Sequence, residues 1–242
     1  FYISDKMQRP FISVVIPTLN EKQNIALLVN KIDKYLRNFF YEIIVIDDNS
    51  QDGTKLVLKE IKSSKKNFLF YIRKKENRDL SQSLILGIKK TKFNNIIIMD
   101  GDLQHNPKYL PKIIRVFFEK KIDLLVCVRN FKKRSGLSII RYFASLSLIF
   151  FINIFLGRRV SDPMSGFFIF KKKIYISNKK NIYGKGFKLL FDLIYFSKRS
   201  LKIKEYMIIF SKRKNNKSKM NLKVIFHIFV AIFYYLFMKL LR

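Results

Sequence analysis

The chain has 242 residues, enough for one large α/β domain with or without an appendage, and its 49% apolar share suffices for a core and some membrane surface. Lys and Arg number 49 against 17 Asp and Glu, a formal charge of +32. Nucleic acid and an anionic membrane are the partners that fit this balance, and part of the excess reads as compositional drift on a solvated surface. The single cysteine, Cys127, excludes an internal disulfide and fits a reducing compartment.

Phe11 to Ile16 reads as a buried strand that stops at Pro17. After the loop Pro17-Thr18-Leu19-Asn20-Glu21, apolar residues at 25, 28, 29, 32 and 36 recur at helical spacing, predicting a helix from Lys22 to Leu36 capped by Asn20 or Thr18. Glu42 to Ile46 is a second strand, and it runs into Asp47-Asp48-Asn49-Ser50-Gln51-Asp52-Gly53-Thr54. These residue types favour turns. Two adjacent acids beyond a strand's carboxyl end are also where a nucleotide's ring or ribose would sit. Leu56, Val57 and Ile61 mark a second helix. Phe68 to Ile72 is a third strand, followed by Arg73, Lys74, Lys75 and Arg78. Leu80 to Lys90 is a third helix with Leu80, Leu84 and Ile88 on one face and Gly87 marking close packing.

Ile96 to Met99 is a fourth strand, and it delivers Asp100-Gly101-Asp102-Leu103-Gln104-His105-Asn106-Pro107. In an open α/β sheet ligands bind beyond the carboxyl ends of the strands, so Asp100 and Asp102 are expected at the mouth of a site. Two carboxylates this close repel unless a cation lies between them. Oxygen ligands suit Mg²⁺ or Mn²⁺, and Gln104 adds a neutral oxygen on the same turn. Gly101 lets the backbone approach a ligand closely. The competing reading is an acidic loop that caps the next helix, which Pro107 can open.

Leu110, Ile113, Ile114 and Phe117 predict a fourth helix, and Asp123 to Val128 a fifth strand ending at Arg129. Cys127 falls in its apolar run and reads as a core residue. Strand and helix thus alternate four times before a closing strand, which predicts a mostly parallel sheet with right-handed crossovers. No GxxxxGK[ST] or GxGxxG pattern occurs, so neither a P-loop enzyme nor a standard dinucleotide binder is expected.

Beyond Arg129 the texture changes. Tyr142 to Leu156 is 15 residues without a charge, between Arg141 and Arg158-Arg159. It is short for a membrane span and fits a core helix or, the preferred reading, a helix lying in the bilayer interface at about 137–157. A second polar loop, Val160-Ser161-Asp162-Pro163-Met164-Ser165-Gly166, feeds a short strand at 167–170. Asp162 either caps a turn before Pro163 or faces a substrate. A helix at 188–196 carries Asp192 among leucines, at the helix edge or in the chemistry. Leu201 to Phe210 reads as another strand. The basic run that follows holds Arg213, Ser218 and Lys219, and is a solvated face, a juxtamembrane anchor or a phosphate-binding loop. Residues 221–242 form a final apolar helix of roughly 30 Å, which either crosses a membrane or lies along it. The amino end lacks a long apolar run, so no signal peptide is expected, and a start at Phe1 rather than Met fits a few missing residues.

The motifs in order, Pro17 to Glu21, Asp47 to Thr54, Asp100 to Pro107, Asp162 to Phe167, and Arg213 with Ser218-Lys219, resemble family 2 glycosyltransferases, specifically the dolichyl-phosphate mannose synthase and polyprenyl-phosphate glycosyltransferase branch. The resemblance covers about residues 11–220. It implies a GT-A (Rossmann-like) catalytic domain over 1–220, and inverting, metal-dependent transfer of a hexose from a nucleotide sugar to a polyprenyl or dolichyl phosphate. GDP-mannose is slightly favoured over UDP-glucose as donor. By the same resemblance Pro17, Glu21 and Asp48, with Asp100 and Gly101, line the nucleotide pocket. Asp100, Asp102 and Gln104 hold the metal. Arg129, Arg213 and Lys219 meet the sugar and acceptor phosphates, with Arg141 a weaker candidate, and Asp162 faces the sugar or acceptor.

The sequence departs from the family pattern at Met207, where a proline is usual, at Asn216, where a glycine is common, and after Arg129, where a glycine pair is missing. The absence of Trp counts against a processive polysaccharide synthase, though a transferase acting on a surface glycan is the alternative enzyme. A non-enzymatic basic binder is disfavoured by the intact acids at 48, 100 and 102. An anionic membrane is the expected partner and nucleic acid is not, a homo-oligomer is left open, and the basic flanks put the catalytic face on the cytoplasmic side.

Overall fold

The computed structural model describes residues 10–74, 77–129, 160–184, 186, 189–197 and 200–210. Both long apolar segments, with Arg141, Arg213, Ser218 and Lys219, lie outside the described residues. No described helix is long and apolar enough to cross a membrane.

Seven strands among these residues make one sheet. They are β1 (Phe11–Thr18), β2 (Phe40–Asp47), β3 (Phe68–Ile72), β4 (Asn95–Ile98), β5 (Leu124–Arg129), β6 (Phe168–Lys171) and β7 (Ile203–Ile208). Their spatial order is β3-β2-β1-β4-β6-β5-β7. Every pairing is parallel except those of β6, which runs antiparallel to both β4 and β5. The helices are α1 (Lys22–Leu36), α2 (Thr54–Ser64), α3 (Leu80–Lys90), α4 (Leu110–Glu119), α5 (Lys172–Asn178) and α6 (Leu189–Tyr195).

Both faces of the sheet are covered, so its central strands are apolar on both sides rather than alternating with polar residues. The two-residue period still sorts the side chains. Val14, Ile16, Ile43, Val45, Ile97, Leu125 and Cys127 pack with α1 and α4, while Val15, Ile96, Ile98, Leu124, Val126, Phe168 and Phe170 pack with α3 and α6. Burial of each such side chain contributes about 1.5–3 kcal/mol. Burial also pushes the Cys127 thiol far above its ordinary pKa, as befits a core residue. Gly87 sits where α3 meets the sheet. A β-carbon there would lie 2.4 Å from Val15 Cγ1, so the close packing expected of it is present.

Several local expectations need correction. The first strand does not stop at Pro17 but continues to Thr18, with Pro17 paired to Ile46 and Thr18 to Asp47. Val15 O accepts from Met99 N on the β4 side, so alternation turns residue 17 to that side too, beyond the last β1–β4 pair at Val15 and Ile98. The donor that proline lacks is not needed there. In α2 the buried face is Thr54, Leu58 and Ile61, and Leu56 is exposed. Helix α5, which shows no clear apolar period, follows β6 directly and buries only Ile174 and Tyr175.

Candidate active site

The carboxyl ends of β1, β2, β4, β5 and β7 lie along one edge of the sheet because these strands are parallel. The amino end of β6 lies there too, because β6 is antiparallel. This places the loop from Asp162 to Phe167 beside the turn from Asp100 to His105, as Ile98 and Val126 both pair with Phe168.

The first two loops are tied together. Asn20 N donates to Ser50 Oγ at 2.7 Å, Glu21 N to Thr54 Oγ1 at 3.0 Å and Lys22 N to Asp52 Oδ2 at 3.0 Å. Gln51 N donates to Asn20 Oδ1 at 3.0 Å. The first helix is therefore not capped by Asn20 or Thr18. Glu21 is the N-cap residue and makes no side-chain cap bond; the neighbouring loop satisfies the open amides instead. Asn20 and Asn49 have φ of 56° and 59°, left-handed backbone that asparagine tolerates better than most residues. Burial raises the Asp52 pKa, but hydrogen bonds from the Thr54 hydroxyl and from the Lys22 and Thr54 amides outweigh it, leaving the carboxyl below its usual value.

The two adjacent acids divide the work. Asp47 accepts from Thr18 Oγ1 at 3.0 Å, Ser50 N at 2.9 Å and Ser50 Oγ at 2.5 Å, which is turn chemistry. Asp48 meets Arg73 Nη2 at 2.5 Å and accepts from Asp79 N at 2.7 Å. Burial of Asp48 outweighs the Asp79 amide and the Arg73 charge, so its pKa lies above the usual carboxylate value. Arg73 and Asp79 were not nominated from the sequence. Asp79 carries a legible signal, an N-cap followed three residues later by Gln82. Asp79 Oδ1 does accept from Gln82 N at 3.1 Å, but the Gln82 side chain reaches across to Gly184 O, and Gly186 N donates to Asp79 Oδ2 at 2.8 Å.

The central turn is closely packed. A β-carbon on Gly101 would lie 3.2 Å from Thr18 Cγ2 and 3.3 Å from Pro17 O, so β1 supports the turn from beneath. A β-carbon on Gly166 would lie 2.2 Å from Asp100 Oδ2, so only glycine leaves room for that carboxylate. The Asp100 side chain is 37% exposed, whereas Asp102 is buried and accepts from Gln104 N at 3.1 Å. Leu103 has φ 64°, a conformation costing a non-glycine residue about 1–2 kcal/mol, which the turn must hold against. His105 is buried. Its Nδ1 accepts from Asp100 N at 3.3 Å, and its ring stacks on Phe167 and meets the edge of Phe210. On the far side of the turn Pro107 begins a short 3₁₀ segment to Tyr109, with Asn106 Oδ1 accepting from Lys108 N at 3.0 Å.

Pro17, Glu21, Asp48, Asp100, Gly101, Asp102, Gln104 and Asp162 thus share this edge, as does the Arg129 backbone, which pairs with Ile208. Asp162 is buried, and its carbonyl accepts from Ser165 N at 3.2 Å. Asp192 is fully buried in α6 and accepts from Gly184 N at 3.0 Å, holding a residue of φ 63°. Among the described residues no group of three His, Cys, Asp or Glu could hold a metal. The donor set at the turn is two carboxylates and one amide oxygen, a hard all-oxygen set that fits Mg²⁺ or Mn²⁺.

A mostly parallel sheet with acids at the strand ends and one antiparallel strand at the switch is the architecture of a nucleotide-sugar transferase domain of the GT-A type. The chain's fold matches that of glucosyl-3-phosphoglycerate synthase from Mycobacterium tuberculosis, solved with Mn²⁺, uridine diphosphate and phosphoglyceric acid, at a TM-score of 0.63 and 20% identity over 86% of this chain and 72% of that one. The family model described as glycosyl transferase family 2 matches residues 13–177, and the chain belongs to that family. It is 34% identical to the dolichol-phosphate mannosyltransferase of Pyrococcus furiosus over 89% of its own length, and spans 60% of that relative. It is 29% identical to the protein of the same name from Saccharomyces cerevisiae, over 88% of this chain and 82% of that one.

Proposed function

We propose that the protein transfers a hexose, mannose from GDP-mannose in the leading reading, to a polyprenyl or dolichyl phosphate at a membrane surface. The observation that carries this reading is the meeting of the Asp48 loop, the Asp100–Gln104 turn and the Gly166 loop at one strand edge, in a chain whose relatives bear the name dolichol-phosphate mannosyltransferase.

In this reading Pro17, Glu21 and Asp48 line the nucleotide pocket, with Asp48 held by Arg73 and the Asp79 amide. Asp100, Asp102 and Gln104 would hold a divalent ion, and Gly101 lets the backbone approach a ligand closely. A bound Mg²⁺ or Mn²⁺ would supply Lewis-acid neutralisation of the leaving diphosphate. An oxygen of the acceptor phosphate attacks the sugar's anomeric carbon from the face opposite the diphosphate. A new C–O bond forms as the bond to the nucleoside diphosphate breaks, and configuration inverts. The acceptor phosphate is already ionised near neutral pH, so positioning and charge carry the rate more than proton removal does. Arg129 at the end of β5, together with Arg213 and Lys219, meets the phosphates, bidentately where arginine does so. Asp162 faces the sugar or acceptor. The segments at 137–157 and 221–242 keep this chemistry at the membrane, with the catalytic face cytoplasmic.

The test is incubation of membranes containing the protein with labelled GDP-mannose or UDP-glucose, Mg²⁺ or Mn²⁺, and a short polyprenyl phosphate. Label should enter the organic phase from GDP-mannose, and Asp102→Ala should reduce transfer by roughly 100-fold or more, the scale of several kcal/mol of lost charge stabilisation. Transfer from UDP-glucose alone would reassign the donor. Transfer that is indifferent to chelation and to Asp102→Ala would remove the metal from the reading.

A further inference from the structure

One group at this edge takes no part in the scheme above. His105 is 2% exposed and lies where three pieces of chain meet. Its Nδ1 accepts from the backbone amide of Asp100 at 3.3 Å and stands 3.7 Å from Asp100 Oδ2. One face of its ring stacks on Phe167 at 5.3 Å between centroids, and the Phe210 ring meets it edge-on at 4.9 Å. Phe167 follows Gly166, whose missing β-carbon makes room for the Asp100 carboxylate. Phe210 immediately precedes the basic run that contains Arg213 and Lys219.

We infer that His105 is a positioning residue for the Asp100–Gln104 turn: its Nδ1 fixes the Asp100 backbone, while its ring only packs against Phe167 and Phe210. The inference rests on the metal-site reading of the turn. An imidazole that accepts at Nδ1 carries its proton at Nε2, and it presents an acceptor and an aromatic face on one rigid ring. The turn it spans contains Leu103 at φ 64°, so 100–105 is a strained loop closed by two side-chain acceptors, His105 Nδ1 for Asp100 N and Asp102 Oδ1 for Gln104 N. Releasing the first frees the Asp100 backbone, and with it the carboxylate, while the side chains of Asp100, Asp102 and Gln104 stay chemically unchanged. Groups that orient metal ligands in this indirect way commonly change metal affinity by about 10–100-fold when removed.

The experiment separates the acceptor from the ring. His105→Phe keeps an aromatic ring and deletes the acceptor. His105→Asn restores an acceptor near the Nδ1 position and deletes the ring. Phe167→Leu removes the stacking partner and leaves the acceptor. Mn²⁺ binding to the full chain is followed by loss of the free-ion paramagnetic resonance signal, with Mn²⁺ alone and then with GDP and with UDP, beside thermal unfolding of each variant. His105→Phe should weaken Mn²⁺ binding by about tenfold or more, while His105→Asn stays within about threefold of the wild type. Phe167→Leu should lower the unfolding temperature with Mn²⁺ affinity retained. Affinity that is unchanged in His105→Phe, or that follows the unfolding temperature across all three variants, overturns the inference and leaves His105 a packing residue. A wild type that binds Mn²⁺ no better than Asp102→Ala fails before any change at 105 is compared; that outcome removes the metal site and the inference with it.

Discussion

Gly166 shows how a single missing atom shapes this site. The Asp100 carboxylate occupies the space where a β-carbon on residue 166 would be, 2.2 Å from Oδ2, and both residues sit on backbone fixed by the sheet through the Ile98–Phe168 pair. Neither backbone can retreat cheaply, so Gly166→Ala should displace the carboxylate rather than the strand. The expected outcome is a fall in transfer of roughly 10–100-fold, the scale set by disturbed ligand orientation, with little change in the unfolding midpoint. Steady-state transfer beside denaturant unfolding of the same variant checks it. A large stability loss with transfer intact would mean that the strand moves instead. Asp47 and Asp48 make a second point at this scale. They are chemically alike and adjacent, yet one is consumed by Thr18 and Ser50 while the other faces Arg73. Alternation along β2 turns them to opposite sides.

At the scale of elements, the far end of the sheet is held by a clamp remote from the site. Asp123, just before β5, accepts from Lys171 Nζ at 2.8 Å at the end of β6 and from Lys202 N at 3.2 Å just before β7, with Lys173 Nζ 3.7 Å away. Burial raises its pKa, but the Lys171 hydrogen bond, the Lys202 amide and the two lysine charges outweigh this and hold it below the usual value. A folded-state pKa lowered below the unfolded one gives stability that is present above the unfolded pKa, about 3.9, and is lost as pH falls through the lower folded value. Asp123→Asn should therefore be less stable than the wild type near neutral pH by about 1 kcal/mol, the scale of one such hydrogen-bonded pair at a part-exposed site. The gap should close as the pH drops below about 4. Urea unfolding of both proteins across that range measures it, and a gap independent of pH would place the effect in packing rather than in the charge. This clamp and the antiparallel β6 together dictate that the Gly166 loop emerges at the edge that carries the candidate site and the Lys171 end at the opposite one.

Over the whole molecule, the excess of Lys and Arg over acids is large, and the edge that carries the candidate site is also where the chain leaves β5 and β7 for its basic and apolar segments. Under the proposed function, a basic protein that takes a lipid phosphate should meet anionic bilayers by charge and hold them by apolar burial. The protein should co-sediment with vesicles rich in anionic lipid, more weakly with neutral ones, and raising the salt should reduce binding without abolishing it. Binding that vanishes at high salt would leave only electrostatics, and binding indifferent to lipid charge would leave only the apolar segments.

The sequence by itself determined the alternation of strand and helix, because burial on both faces of a sheet writes continuous apolar runs and an amphipathic helix writes a 3.6-residue period, both local patterns. It also marked the loops at 47–54 and 100–104 as candidates, since acids, amides and glycines directly after apolar strands are visible without any partner. The tertiary structure decided what depends on contacts between residues distant along the chain. Capping of α1 by Asp52 and Thr54 spans about thirty residues, and no propensity encodes it. The antiparallel sense of β6 follows from pairing with β4 and β5, and only that sense brings Gly166 to Asp100. Arg73, Asp79 and His105 acquire meaning from neighbours that the fold supplies, because a side chain's role is set by what it touches, and one-dimensional spacing records no such contact.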